Sequence, residues 1–176
     1  MRGGVDLPPV LGSRSHDTLS GVGPAPLRIG SELPVGADPA TAVVAEPAPR
    51  RPRPSLVTVW PGPRADWFTA DALQLLCAAT WTVSDVVSRV GIRLRGPELG
   101  REVTDELPSE GLLPGAVQVP PDGGPVVMSA NHPTTGGYPV LAVVDPVHLA
   151  VVVQAPPGSA IRFRLQESRA RRSDWR

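Results

Sequence analysis

Residues 131–138 carry the densest set of groups in this chain that could do chemistry. An amide, an imidazole, two hydroxyls, two glycines and the only tyrosine lie there between two apolar runs: Asn131, His132, Thr134, Thr135, Gly136, Gly137 and Tyr138. Adjacent glycines let backbone N–H groups approach an anion or a developing oxyanion, and the threonine hydroxyls can donate beside them. The segment therefore predicts a site for a carboxylate or amide substrate. The alternative is a tight turn in which Tyr138 anchors a strand end.

Four other residues are candidates by type alone. Cys77 lies on the apolar side of a predicted helix with no histidine close in sequence, so we expect it to pack in the core. His16 is expected to decorate a loop, and His148 beside Asp145 to cap a helix or face solvent. Gln118 alternates with two valines, which turns its amide to the opposite face of a strand. It is a ligand group if that face lines a cleft, and an exposed side chain otherwise.

Composition favours a mainly β protein. The chain has 176 residues, of which 41% are hydrophobic, enough for a buried core. Its 23 prolines and 18 glycines punctuate short valine-rich runs, the layout of strands joined by tight turns. Strands are predicted at residues 56–60, 81–87, 90–94, 116–119, 125–130, 139–144 and 161–165. Residues 120–124 predict the turn of a hairpin.

One helix is predicted after Thr69, which would act as its N-cap, with Asp71 in the first turn and an apolar face ending at Cys77. Residues 146–154 fit a strand or a short helix equally well. Residues 1–36 are rich in turns and fit short strands better than a helix. The chain is thus divided into residues 1–36, a Pro- and Arg-rich linker at 37–54, a second lobe at 55–166 and a basic tail at 167–176.

Charge and cysteine content exclude several classes of function. The formal net charge is zero, and the basic residues are all arginine, clustered at residues 50–53 and 162–176 without a series of interleaved aromatics that could stack on bases. We therefore expect neither a nucleic-acid partner nor a membrane surface. One cysteine excludes an intrachain disulfide and a two-cysteine metal site, and we expect no metal in this chain. No apolar stretch reaches signal-peptide or membrane-span length, which favours the cytoplasm.

The sequence also resembles the biotin-dependent carboxyltransferase family, which includes the C-type subunit of 5-oxoprolinase, allophanate hydrolase subunit 2 and a domain of urea amidolyase. The resemblance rests on residues 109–127 and 134–139, with supporting matches at 2–15, 88–94, 154, 157–158 and 161–163. It implies a cyclophilin-like β-barrel with one or two short helices, plus the end strands of a truncated first barrel lobe. It also implies Asn131 and His132 as catalytic residues. The substrate-binding residues implied are Arg93, Gln118, Thr134, Thr135, Gly136, Gly137 and Tyr138.

The resemblance further implies a complex with a B-type subunit, and with an A-type subunit in some members, acting on a small amide. The favoured setting is ATP-dependent opening of 5-oxoproline to glutamate, with ATP used by the complex. The other setting is carboxyl transfer from carboxybiotin to a urea-like amide. Two departures from the family, Asn131 in place of Asp and Pro156 in place of Arg, argue against activity. The alternatives are a non-catalytic regulatory partner of the B-type subunit, acting as a kinase-inhibitor antagonist, or an inactive truncated remnant.

The resemblance begins at the first residues of the chain, in what is the middle of longer members. We expect Met1 to stand where the family has Val in an Ala-Val-Arg-Gly-Gly run, with a GTG codon read as the start. Reading the upstream DNA tests this expectation. An in-frame extension should encode the family's Gln-Asp-x-Gly-Arg motif, whereas an immediate stop codon or an extension without that motif would contradict it.

Overall fold

The computed structural model describes residues 2–18, 20–40 and 56–166. The chain divides into two compact units, Met1–Arg50 and Arg51–Arg176. Most of the predicted linker, its arginine cluster at 50–53 and the predicted tail at 167–176 lie outside the described residues.

The second unit is a closed seven-stranded β-barrel with two short helices, which confirms the predicted mainly β barrel. Its elements are β1 (Leu56–Pro61), α1 (Ala72–Ala78), β2 (Thr80–Val87), β3 (Gly91–Arg95), β4 (Glu110–Gly111), β5 (Ala116–Gln118), β6 (Val126–Met128), β7 (Thr135–Gly136), β8 (Val140–Val144), α2 (Pro146–Val153) and β9 (Ala160–Leu165). The barrel order is β1-β8-β5-β6-β3-β2-β9, and β9 closes it by parallel pairing with β1. Strands β4 and β7 form a separate two-stranded ribbon.

Alternation along the strands builds the core. Val57 and Val59 of β1, Val117 of β5 and Phe163 of β9 are almost completely buried inside the barrel. Trp81 is the largest buried side chain, and its indole N–H donates to the carbonyl of Leu76 at 2.8 Å. That bond satisfies the one polar group of the indole and ties α1 to β2.

The predicted N-cap of α1 was wrong. The helix begins at Ala72 with Asp71 at the N-cap position, and the Asp71 side chain makes no capping bond. Thr69 instead pairs with the segment around Gly100, because its N–H donates to the Gly100 carbonyl at 3.1 Å. The Thr69 carbonyl then accepts from the N–H of Ala72 at 2.9 Å, so a backbone turn starts the helix.

The segment after Asp145 is a helix, which decides between the two predicted alternatives. The Asp145 carboxylate accepts from the N–H of Val147 at 3.0 Å, and Pro146 occupies the first helical turn. The hairpin between β5 and β6 forms as predicted, with Val117 opposite Val127. Gly123 supplies the positive φ of +71° in its turn.

The first unit has little regular structure in its described residues, 2–18 and 20–40. The short strands expected there are reduced to isolated bridges, Val5 with Val35 and Val10 with Ser13. Closely spaced Gly and Pro interrupt longer ladders, and none of these described residues is fully buried. His16 helps to line a largely apolar cavity of about 540 Å³ in this unit, so it is not a simple loop decoration.

Within the described residues, no helix has both the length and the apolar character needed to cross a membrane.

Gly96 tests the packing of the barrel. A Cβ at this position would lie 2.5 Å from Cε3 of the buried Trp81 ring, which has no room to move. We expect Gly96→Ala to lower the free energy of unfolding by about 1–3 kcal/mol, measured by denaturant titration. Gly111→Ala is the control, because a Cβ there meets nothing within 4 Å. Equal effects of the two variants would contradict this packing.

Candidate functional site

Gln118 lies on the outer face of the barrel. Val117 and Val119 belong to the main core, whereas the cross-strand partner of Gln118 is Val126, which also pairs with Arg93 on its other side. Residues directly opposite one another in antiparallel strands share a face. Gln118, Val126 and Arg93 therefore form one row across three strands on the outside of the barrel, in agreement with the predicted turning of the Gln118 amide.

The Gln118 side chain is buried although it points out of the barrel. It is 3% exposed, and its Nε2 donates to the carbonyl oxygen of Tyr138 at 2.9 Å. Gly136 covers it so closely that a Cβ there would lie 2.7 Å from Nε2, and also 2.8 Å from Cδ1 of Leu112. Of the two alternatives left open for Gln118, the exposed side chain is therefore excluded. Its amide bonds the protein's own loop and holds that loop on the barrel.

The ribbon of β4 and β7 shapes the middle of the loop. Glu110 pairs with Gly136 and Gly111 with Thr135, and the N–H of Leu112 donates to the carbonyl of Thr134 at 2.9 Å. Hydrogen-bonded and non-hydrogen-bonded pairs alternate along antiparallel strands. Because Leu112 bonds Thr134, the pair two residues away, Glu110 and Gly136, also exchanges both backbone hydrogen bonds. The Gly136 amide thus serves the ribbon, and Gly137, which is exposed, is the glycine left to approach a ligand.

The first residues of the loop are fixed by backbone bonds. Asn131 is exposed, and its N–H donates to the carbonyl of Arg89 in the β2–β3 turn at 3.1 Å. The Nδ1 atom of His132 lies 2.7 Å from the carbonyl oxygen of Pro133. A carbonyl can only accept, so Nδ1 carries the proton in this bond, and in the neutral imidazole Nε2 keeps a lone pair.

Arg93 is not brought into the loop. Its guanidinium pairs with the Asp122 carboxylate in the β5–β6 turn. The N–H of Gly124 and the Arg93 guanidinium both hold the pKa of Asp122 below its ordinary value. Arg93 and Asp122 line a cavity of about 240 Å³ together with residues 94–98. The loop itself carries His132, Thr134, Thr135, Gly137 and Tyr138. Gln118 of β5 bonds the end of this loop, and Arg93 lies beside the neighbouring turn.

Sequence patterns missed Arg64 and Glu110. Arg64 Nε lies 3.0 Å from each Glu110 carboxylate oxygen, and Nη2 also bonds one of them. The pairing lowers the pKa of Glu110 and raises the pKa of Arg64 from their ordinary values. A two-residue strand has no periodicity to detect, so the only available signal was the place of Glu110 within the motif at residues 109–127.

The remaining candidates have structural roles. The Nδ1 atom of His148 accepts from the N–H of Thr58 at 3.3 Å, so this histidine neither caps a helix nor simply faces solvent. Cys77 packs against the core as predicted, and burial raises the pKa of its thiol, which disfavours a nucleophilic role. Across residues 2–18, 20–40 and 56–166, no group of three or more His, Cys, Asp or Glu could hold a metal ion.

Comparison with known proteins gives one consistent family. Residues 1–165 match the family model described as carboxyltransferase domain, subdomain A and B. The chain is 35% identical to the C-type subunit of 5-oxoprolinase from Escherichia coli over 178 residues, covering 98% of this chain and 57% of that protein. It is 28% identical to urea amidolyase of Lachancea kluyveri over 192 residues, covering 93% of this chain and 10% of that protein.

Solved structures agree with this result. The structure of the protein TTHA0988 superposes with a TM-score of 0.71 and 36% identity, covering 92% of this chain and 32% of that one. The urea carboxylase of Kluyveromyces lactis superposes with a TM-score of 0.66 and 27% identity, covering 92% and 17%. The chain spans slightly more than half the length of the 5-oxoprolinase subunits that it matches.

The two loop glycines provide a matched test of the site's geometry. A Cβ at Gly136 would strike Gln118 and Leu112, whereas at Gly137 it meets only the carbonyl oxygen of Leu107 at 3.4 Å. We expect Gly136→Ala to cost about 1–3 kcal/mol of unfolding free energy by overpacking and loss of the Gln118–Tyr138 bond. Gly137→Ala should stay within about 0.5 kcal/mol of the parent. Urea unfolding of both variants makes the measurement, and a reversed order would contradict the geometry.

Proposed function

The chain belongs to the carboxyltransferase domain family, and on that premise we propose that it is a component of an ATP-dependent complex that opens 5-oxoproline to glutamate. Its partners in this proposal are a B-type subunit and an A-type subunit, and the site of action is the cytoplasm. The long match with the C-type subunit of 5-oxoprolinase supports this setting over carboxyl transfer to a urea-like amide. The geometry of the loop at residues 131–138 carries the chemical part of the proposal.

The loop offers hydrogen-bond donors suited to a carboxylate or a lactam carbonyl. Gly137 is exposed and free of side-chain bulk, and the neighbouring Thr134 and Thr135 are exposed as well. Opening a lactam places negative charge on the carbonyl oxygen, and donors already fixed in place stabilise that charge without reorganising. Anchoring by Gln118 supplies this fixation, because it holds the backbone of Tyr138 directly after Gly137.

His132 is the group in the loop that can accept a proton. The amide of Asn131 does not titrate, whereas the Nε2 lone pair of His132 is available once Nδ1 donates to Pro133. We assign proton transfer to His132 and a hydrogen-bonding role beside it to Asn131. Tyr138, which is 47% exposed, can contact the ring of a bound substrate.

In this proposal neither ATP nor carboxybiotin binds to this chain. The donors around the loop fit one carboxyl or amide group, and the chain has no lysine and no phosphate-binding loop motif. ATP would be used by another subunit of the complex, and carboxybiotin would be required only in the urea-type setting. The steps assigned to this chain are binding, orientation and proton transfer at His132.

A non-catalytic regulatory role is the second candidate, and Asn131 favours it. In the family resemblance a carboxylate usually stands at this position, and the neutral amide removes a base or a substrate-orienting charge. Pro156 likewise replaces an arginine that could contact an anion. Such a chain could bind the B-type subunit without turning over substrate.

Co-expression with the A- and B-type subunits of the same organism separates the two roles. Co-purification together with ATP-dependent release of glutamate from 5-oxoproline would support the enzyme component. Association without turnover would support the regulatory role and overturn the catalytic one.

Two variants sharpen this experiment. Asn131→Asp is isosteric and exposed, so we expect it to raise turnover by about tenfold if the missing carboxylate limits catalysis.

Gly137→Val should abolish turnover while the denaturation midpoint is kept, because the new side chain fills the approach to the loop. Unchanged kinetics in Gly137→Val would reduce the loop to a turn.

A further inference from the structure

The ribbon of β4 and β7 is too short to hold its own position. Each strand has two residues, and an isolated two-stranded ribbon is at best marginally stable in water. Gln118 and Leu112 support it from below on the β7 side, through Gly136. On the β4 side, Leu112 anchors the end of the strand by packing with Ala116, Met128 and Val140. Glu110 at the start of the strand is only half-buried, so this end depends on a contact of its own.

Arg64 is rigidly attached to the barrel. The N–H of Gly62 donates to the carbonyl of Leu141 at 2.8 Å, and the N–H of Arg64 donates to the carbonyl of Val140 at 3.2 Å. A Cβ at Gly62 would overlap the Val140 carbonyl oxygen, so the segment after β1 runs directly against β8. The Arg64 backbone is therefore a fixed point from which its side chain can reach the ribbon.

The contact between Arg64 and Glu110 is geometrically specific. Nε lies 3.0 Å from both carboxylate oxygens and Nη2 bonds one of them, so the planar guanidinium fixes the carboxylate in orientation as well as distance. The side chains are 36% and 34% exposed, which leaves the pair partly screened by solvent. An ion pair at that exposure adds little to global stability, but it can hold a short ribbon in place.

We propose that the Arg64–Glu110 pair is a positioning element that holds the β4–β7 ribbon, and with it Gly137 and Tyr138, in one conformation on the barrel. Its effect on substrate rests on the function proposed above, but its effect on the ribbon does not. Among the described residues, the side chains of Arg64 and Glu110 hydrogen-bond only each other. Arg64 acts through Glu110, and Glu110 acts through its backbone pairing with Gly136.

Amide hydrogen exchange followed by NMR on the full chain tests the proposal without any substrate. Glu110→Gln keeps the size of the side chain and removes its charge, and Arg64→Lys keeps the charge but loses the planar fork. We expect either variant to speed exchange at Gly136 by about tenfold relative to the parent, with barrel amides such as Val117 and the denaturation midpoint unchanged. The swap Arg64→Glu with Glu110→Arg should recover most of the protection.

The matched control is the Arg95–Asp85 pair, which joins β2 to β3 and is 67% and 76% exposed. Asp85→Asn should leave exchange at Gly136 unchanged. Parent-like exchange at Gly136 in both Glu110→Gln and Arg64→Lys would overturn the proposal, as would faster exchange spread evenly over the barrel.

In an active complex, Glu110→Gln should raise KM more than it lowers kcat. Failure of that complex to turn over substrate would count against the proposed function and leave the exchange result standing.

Discussion

One buried hydrogen bond organises the candidate site: the Gln118 side chain donates to the carbonyl of Tyr138 from the outer face of the barrel. A polar side chain in that position would normally be solvated. Here Gly136 and Leu112 cover it, which is sterically feasible only because residue 136 has no Cβ. Leaving a buried amide unpaired costs free energy. The loop therefore stays in the position in which the Tyr138 carbonyl accepts this bond.

The rest of the site follows from this constraint. The barrel positions Gln118 through the pairing of β5 with β6 and β8. Strand β7 can pack over the Gln118 side-chain amide because Gly136 has no Cβ to overlap it. The ribbon brings Glu110 to the side of β8 where Arg64 is bonded to the barrel. The polar groups of the loop, from His132 to Gly137, thus project from a segment fixed both from below and from the β4 side.

Much of the barrel could be predicted from the sequence, because valine-rich runs interrupted by Gly and Pro indicate strands directly. Predicted strands, the hairpin at 120–124 and the packing of Cys77 match the structure closely. The N-cap at Thr69 could not be predicted, since its competing partner, Gly100, is distant in sequence. The two-residue strands β4 and β7 carry no periodic signal, and their pairing depends on tertiary contacts.

For the site, the sequence identified the loop but not its supports. Residue types marked His132, the threonines and the glycines, strand alternation marked Gln118, and the family resemblance added Arg93. Which glycine amide serves the ribbon, and the burial of an outward-facing glutamine, depend on register and on contacts between segments distant in sequence. For the same reason no local pattern could link Arg64 with Glu110.

The side-chain amide protons of Gln118 give the most direct measurement of this account. By NMR they should exchange with water at least about tenfold more slowly than those of the exposed Gln74, and show contacts with the Gly136 α-protons. Exchange of Gln118 at the same rate as Gln74, with no contact to Gly136, would contradict the claim that this bond holds the loop on the barrel.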